Sequence, residues 1–205
     1  MTIRLVPVNT DFIGIEGIAK TVFESFGIET VVEPTLKVSR RKNPELFLDM
    51  GAWNFLADFG FSPDILPYVR DRVDGTLLVV TDEYLSQNPM PGYLVAFDLL
   101  AGYAESNIDV SILSTSRMRK NSMAMARILA VHEIGHLFHA ADNADDVHCY
   151  SMAGDKHCVM AAELYVKQRH FIGPRPGHRL SEYWGYEFCH DCSERVEQNK
   201  LQRVS

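Results

Sequence analysis

The sequence predicts an α/β (α+β) fold in which helices pack on a mixed, twisted sheet, and three observations carry that expectation. The chain opens as strand, helix, strand over Ile3–Val8, Ile15–Phe26 and Glu29–Val32. Two later runs, Thr76–Thr81 and Ile108–Leu113, are apolar enough to be central strands. Between Ser122 and Phe138 a run of helix formers contains no Pro and meets Gly only at Gly135.

Each element has a local cause. Ile15–Phe26 is amphipathic, and Gly27 supplies a stop. Pro34 ends the second strand. Leu46, Met50, Trp53, Leu56 and Phe59 form an apolar stripe at helical spacing, which predicts a core-facing helix over Leu46–Phe59. Asn121 or Ser122 would cap the helix that follows. Beyond His139 the chain reads as loop-rich, with helices expected over Ala161–Arg169 and Ser193–Gln202 and a turn or loop at Gly173–Gly177.

With 205 residues, 46% of them hydrophobic, the chain can bury one sizeable core. We expect a single domain over 1–205, divided around a cleft into an upper α/β subdomain (1–138) and a lower one (139–205). No run of eighteen apolar residues suggests a membrane span. The formal charge of -7 argues against nucleic acid as a partner, because a binder of phosphate backbones shows a basic patch. The opening Met1-Thr-Ile-Arg-Leu-Val-Pro7 lacks a charged start followed by a long apolar run, so a reducing cytoplasm is the expected compartment.

Chemistry concentrates in the second half, where all eight histidines and all four cysteines lie at or after His132. Val131-His-Glu-Ile-Gly-His-Leu-Phe138 contains an HExxH pattern. Residues four apart share a helix face, so His132 and His136 can offer two imidazoles to one metal, with Glu133 beside them as a general base. Zinc held by neutral imidazoles lowers the pKa of a water toward neutrality, and Glu133 can take the proton as that water attacks a carbonyl. The plainer alternative is a core helix with two incidental histidines.

Cys189-His-Asp-Cys192 is a CxxC knuckle, and Cys149 with Cys158 would complete a four-sulfur zinc site. Two disulfides are the competing reading. His157 and His190 adjoin these cysteines but receive no role, and neither do His170 and His178. The acidic run 142–146 reads as a solvated loop.

In order, His132-Glu-Ile-Gly-His136, His148-Cys149, Cys158-Val-Met160 and Cys189-His-Asp-Cys192 resemble the signature of the archaemetzincins, a metzincin-type family of zinc peptidases. The resemblance covers roughly residues 75 to 192, its upstream part resting on the strand-like Leu77–Asp82, Tyr93–Phe97 and Val110–Arg117. It implies a metzincin-like zincin fold with an active-site helix and a zinc-stabilised C-terminal subdomain. It further implies one catalytic and one structural Zn2+, a turn methionine at Met160 beneath the site, and peptide or protein substrates, with aminopeptidase-like cleavage as a narrower form. Gly92–Phe97 would be the edge strand pairing with an extended substrate.

The departures fall around the third ligand. Where the family turns on Gly, this chain has His139, and where the third ligand is due it has Asp142. His tolerates a left-handed backbone less well than Gly, so the helix is expected to run on past His139. His148, displaced by a longer loop but still preceding Cys149, is the favoured third ligand, and Asp142 is its competitor. His139 is expected as a neighbour of the metal, and Met152 competes weakly with Met160. A tyrosine that some related families place two residues after the turn Met is replaced by Ala162. The alternative to a peptidase is a non-catalytic, zinc-stabilised peptide- or protein-binding protein.

Overall fold

The computed structural model describes residues 1–10, 13–38, 59–82, 84–86, 99–100, 102–115, 123–141, 148–161 and 185–204. Among the described residues the main sheet has five strands in the order β2-β1-β4-β8-β7. Of these, β1 (Thr2–Val8), β2 (Glu29–Val32), β4 (Thr76–Thr81) and β8 (Val110–Ser114) are mutually parallel. At one edge β7 (Gly102–Glu105) runs antiparallel to β8, with Gly102 opposite Leu113. The sheet is therefore mixed. A smaller sheet joins β3 (Phe59–Phe61), β5 (Tyr84–Ser86) and β6 (Leu99–Leu100).

Both faces of the main sheet are covered, which is why β4 reads as an unbroken apolar run. On one face Ile3, Leu5, Leu78, Val80 and Leu113 meet Ile18, Val22 and Phe26 of α1 (Ile15–Phe26) and Leu129 and Ile134 of α3 (Met123–Leu137). On the other, Val6, Val8, Leu77, Val79 and Ile112 pack with Ile65, Leu66 and Val69 from α2 (Ser62–Arg70). Burying each such Leu or Val stabilises the fold by about 1.5–3 kcal/mol. The four cysteines belong to the same apolar cluster as α1 and α3, so the C-terminal helix α4 (His190–Val204) is joined to the core through its first turn.

The opening strand, helix and strand lie where the sequence predicts them, and Gly27 ends α1 in the left-handed conformation at φ 63°, donating its N–H to Phe23 O at 2.8 Å. Other expectations are corrected. Phe59 begins β3 instead of ending a helix, while 46–58 lie outside the described residues. Ile108 belongs to a 3-10 turn (Ser106–Ile108), so the strand starts at Val110. Helix α2 was not foreseen because Pro67 sits inside it and removes a backbone donor. The last helix starts three residues earlier than expected, and Ala161 pairs with Cys149 in a bridge in place of opening a helix. Residues 92–97, 121–122, 162–169 and 173–177 lie outside the described residues.

The main correction concerns His139. Helix α3 stops at Leu137, and His139 takes φ 50°, the left-handed conformation of a glycine stop. The N–H of Ala140 reaches Gly135 O and that of His139 reaches His136 O, both at 3.0 Å. These are the two bonds of a Schellman ending. They compensate a backbone conformation that costs a non-glycine residue about 1–2 kcal/mol.

Candidate metal centres

The histidine site is built on α3. His132 and His136 stand one turn apart, and their Nε2 atoms approach to 3.1 Å. Further along the chain His148 stands at the same point, its ring centroid 5.4 Å from that of His132 and 5.1 Å from that of His136. One ring nitrogen from each of the three lies within 4.8 Å of the others, so the set could hold a metal ion. Zinc–nitrogen bonds of about 2.0–2.1 Å in tetrahedral array require this kind of spacing. Asp142 lies outside the described residues.

Tautomer and charge suit that role. The Val159 carbonyl lies 2.7 Å from His132 Nδ1 and can only accept, so Nδ1 carries the proton and Nε2 keeps its lone pair toward His136. Burial lowers the His132 pKa to about 4, against the raising influence of Val159 and with a further lowering by His148. Burial also lowers His136 well below the usual value, helped by His132, His148 and His139. Both rings are therefore neutral at pH 7, the form in which an imidazole nitrogen can ligate a cation.

Glu133 is 6% exposed. Burial pushes its carboxyl up to about 8, a tendency that a nearby cation reverses. Gly102 on β7 lies directly against this side chain.

Beneath α3 lies Met160. It is fully buried, and a Cβ on Gly135 would press into its sulfur and stand 3.3 Å from Phe188. The glycine within the HExxH pattern is thus the space Met160 occupies. Met152 is 50% exposed, on a hairpin formed by β9 (Met152–Ala153) and β10 (Lys156–His157), and is not the methionine below the site. His139, half-buried and close enough to lower the His136 pKa, is a neighbour, as its position in the sequence suggests.

The second cluster joins Cys149, Cys158, Cys189 and Cys192, all buried and none in a disulfide. Their sulfurs lie within 4.8 Å of one another, so they too could hold a metal ion. The β9–β10 hairpin returns Cys158 beside Cys149, and α4 supplies Cys192 in its first turn, where the helix dipole favours a thiolate. The Cys189 N–H donates to Cys158 Sγ at 3.3 Å. Hydrogen bonds from the Cys158 and Cys192 thiols hold Cys149 down to about 4, and the same bonds to Cys149 push Cys158 and Cys192 up. Four thiolates cannot share this volume without a cation. The adjoining histidines are not grouped with the four sulfurs: His190 is exposed and pairs with Glu194 at 3.4 Å, while His157 is half-buried on the hairpin.

Sequence reasoning overlooked three contributors: the Val159 carbonyl, Gly102, and the residues of α4 that bond the end of α3. Of these only Gly102 carried a signal, because a glycine within a strand marks a close approach.

No protein-family model matches the chain, and no curated protein matches it. Solved structures do. Archaemetzincin from Archaeoglobus fulgidus, complexed with malonate, is 19% identical over 95% of this chain and 99% of its own, with a TM-score of 0.57. The archaemetzincin of Methanopyrus kandleri is 18% identical over 98% and 96%, with a TM-score of 0.58. A zinc-dependent peptidase from Methanocorpusculum labreanum is 15% identical over 95% and 99%, with a TM-score of 0.61. Identities this low speak to architecture, which is shared over nearly the full length of each. The chain has the archaemetzincin fold.

Proposed function

We propose that the chain is a zinc-dependent peptidase, with His132, His136 and His148 holding a catalytic zinc and Glu133 acting as general base. The observation that carries this reading is the convergence of three imidazoles on one point, two of them from the helix that also carries the buried Glu133. Zinc there supplies Lewis acidity and lowers the pKa of water from 15.7 toward about 7. Glu133 accepts the proton of the attacking water and returns it to the leaving amine, a contribution of about 10²–10⁴ in rate. Val159 keeps the His132 ring in the ligating tautomer. Strand β7, the edge of the main sheet among the described residues, offers main-chain groups to an extended peptide next to Glu133.

Cys149, Cys158, Cys189 and Cys192 hold a second, structural zinc in this proposal. The same reading puts the protein in a reducing compartment, the cytoplasm, where a four-cysteine cluster is more often a metal site than a pair of disulfides. Among the described residues no helix is long and apolar enough to cross a membrane. The substrate is a peptide or protein, and the narrower form of the reading is removal of amino-terminal residues.

The test is mass spectrometry of peptide mixtures incubated with zinc-loaded protein, half of the peptides acetylated at the amino terminus. Cleavage that Glu133→Gln abolishes supports a peptidase, and cleavage confined to free amino termini supports the narrower form. Zinc-loaded protein that cleaves nothing while binding peptides would favour the non-catalytic reading.

A further inference from the structure

We propose that Gly102 is a positioning residue for Glu133, its missing side chain being the space in which the Glu133 carboxylate sits. The inference rests on Glu133 acting as the base. A Cβ built on Gly102 would stand 2.6 Å from Glu133 Cγ and nearer still to its carboxyl carbon and Oε1. Carbon atoms pack at about 3.5–4.0 Å, so the two side chains cannot coexist as placed. All three of the atoms nearest that Cβ belong to Glu133.

Backbone conformation does not account for this glycine. Among the described residues the left-handed glycines are Gly27, Gly75 and Gly154, whereas Gly102 lies in a strand whose geometry any residue adopts. Ala104, two residues on, shares its face, so the side of β7 turned to α3 carries the two smallest residues. The sheet edge and the helix can then approach until Glu133 is wedged between them. Its carboxylate is held against a wall of main chain at Gly102, one residue along the helix from His132, and the flexible partner in the contact is the carboxylate itself. An added methyl at 102 therefore moves Glu133 and leaves strand and helix in place.

The experiment compares wild type, Gly102→Ala, Glu133→Asp and the double variant, all as full-length zinc-loaded protein. For each we would measure zinc per chain, thermal midpoint, kcat and KM on a peptide the wild type cleaves, and affinity for acetohydroxamic acid. That chelator binds a metal while a neighbouring carboxylate accepts its hydroxyl proton, so it reports the placement of Glu133 without turnover. Gly102→Ala should keep its zinc and thermal midpoint. Its kcat should fall about 100-fold, the loss expected of a misplacement near 1 Å, with KM changed little. Acetohydroxamate affinity should fall as well. In the shorter Glu133→Asp background the added methyl meets no carboxylate at its old position, so the same change should cost less than about 3-fold.

Equal losses in both backgrounds, loss of zinc or unfolding of Gly102→Ala, or an unchanged kcat and chelator affinity would each overturn the role of Gly102. If wild type cleaves no peptide, the peptidase reading fails, and the chelator affinities alone still decide for or against Gly102.

Discussion

Asn199 donates its side-chain amide to the carbonyl of Phe138 at 3.0 Å, two residues beyond His136. Four residues later Arg203 donates to Leu137 O at 2.6 Å, pairs with Asp109 and stacks over the Phe138 ring. Asp109 in turn accepts from Thr76 at 2.7 Å and lies in the turn between β7 and β8. Helix α4 thus joins the Cys cluster, at its start, to the end of α3 and to the turn that follows β7. A cation at a helix C-terminus and a donor on its last carbonyls both stabilise it.

Removing these bonds should loosen α3 without touching a metal ligand. Asn199→Ala is expected to lower unfolding free energy by about 1 kcal/mol, and Arg203→Ala by about 2, the larger because it also removes the ion pair with Asp109. Denaturant midpoints with unchanged slopes measure both. Midpoints equal to wild type would mean that α4 does not secure α3.

His139 offers a second check. A β-branched residue is poorly suited to its left-handed backbone, so His139→Val should destabilise by about 1–2 kcal/mol. His139→Gly should fold with a full complement of zinc, as expected of a neighbour. Zinc lost from the histidine site in the glycine variant would make His139 a ligand.

Most of the fold's parallel core was legible, and the reasons are local. Helix α1 declared itself by amphipathic spacing and Gly27, and β4 by an apolar run that only a doubly covered sheet requires. Helix α2 was hidden by Pro67, and β7 by small residues that are there for closeness to α3. The stop at His139 misled because residue preference outweighed what two backbone bonds and the nearby donor of Asn199 make tolerable. In the candidate site, HExxH spacing and the Cys order carried the clusters, whereas the Val159 carbonyl has no sequence signature at all.

Two zinc ions per chain should differ in lability. A mild chelator is expected to take the histidine-bound zinc first, since that site keeps a position open to exchange, and the four-thiolate zinc later, together with unfolding of α4. Elemental analysis paired with circular dichroism follows both steps. A single zinc in undamaged protein, or a Cys189–Cys192 disulfide seen by mass spectrometry, would contradict this.

For the third ligand, His148→Ala is expected to lose zinc from the histidine site while Asp142→Ala keeps it. Because Cys149 adjoins His148, absorption spectra of cobalt-substituted protein should be used to tell which site has emptied. The reverse pattern would make Asp142 the ligand, and retention in both variants would exclude each of them.

The central claim is that one zinc is held open to substrate by His132, His136 and His148 beside Glu133. Crystals of zinc-loaded protein, measured at the zinc absorption edge, test it most directly through an anomalous difference map. The account predicts two peaks: one about 2.0–2.1 Å from a nitrogen of each of the three rings, with its fourth position free of protein, and one about 2.3 Å from each of the four sulfurs. No peak among the histidines, or a fourth protein ligand closing that position, would contradict it.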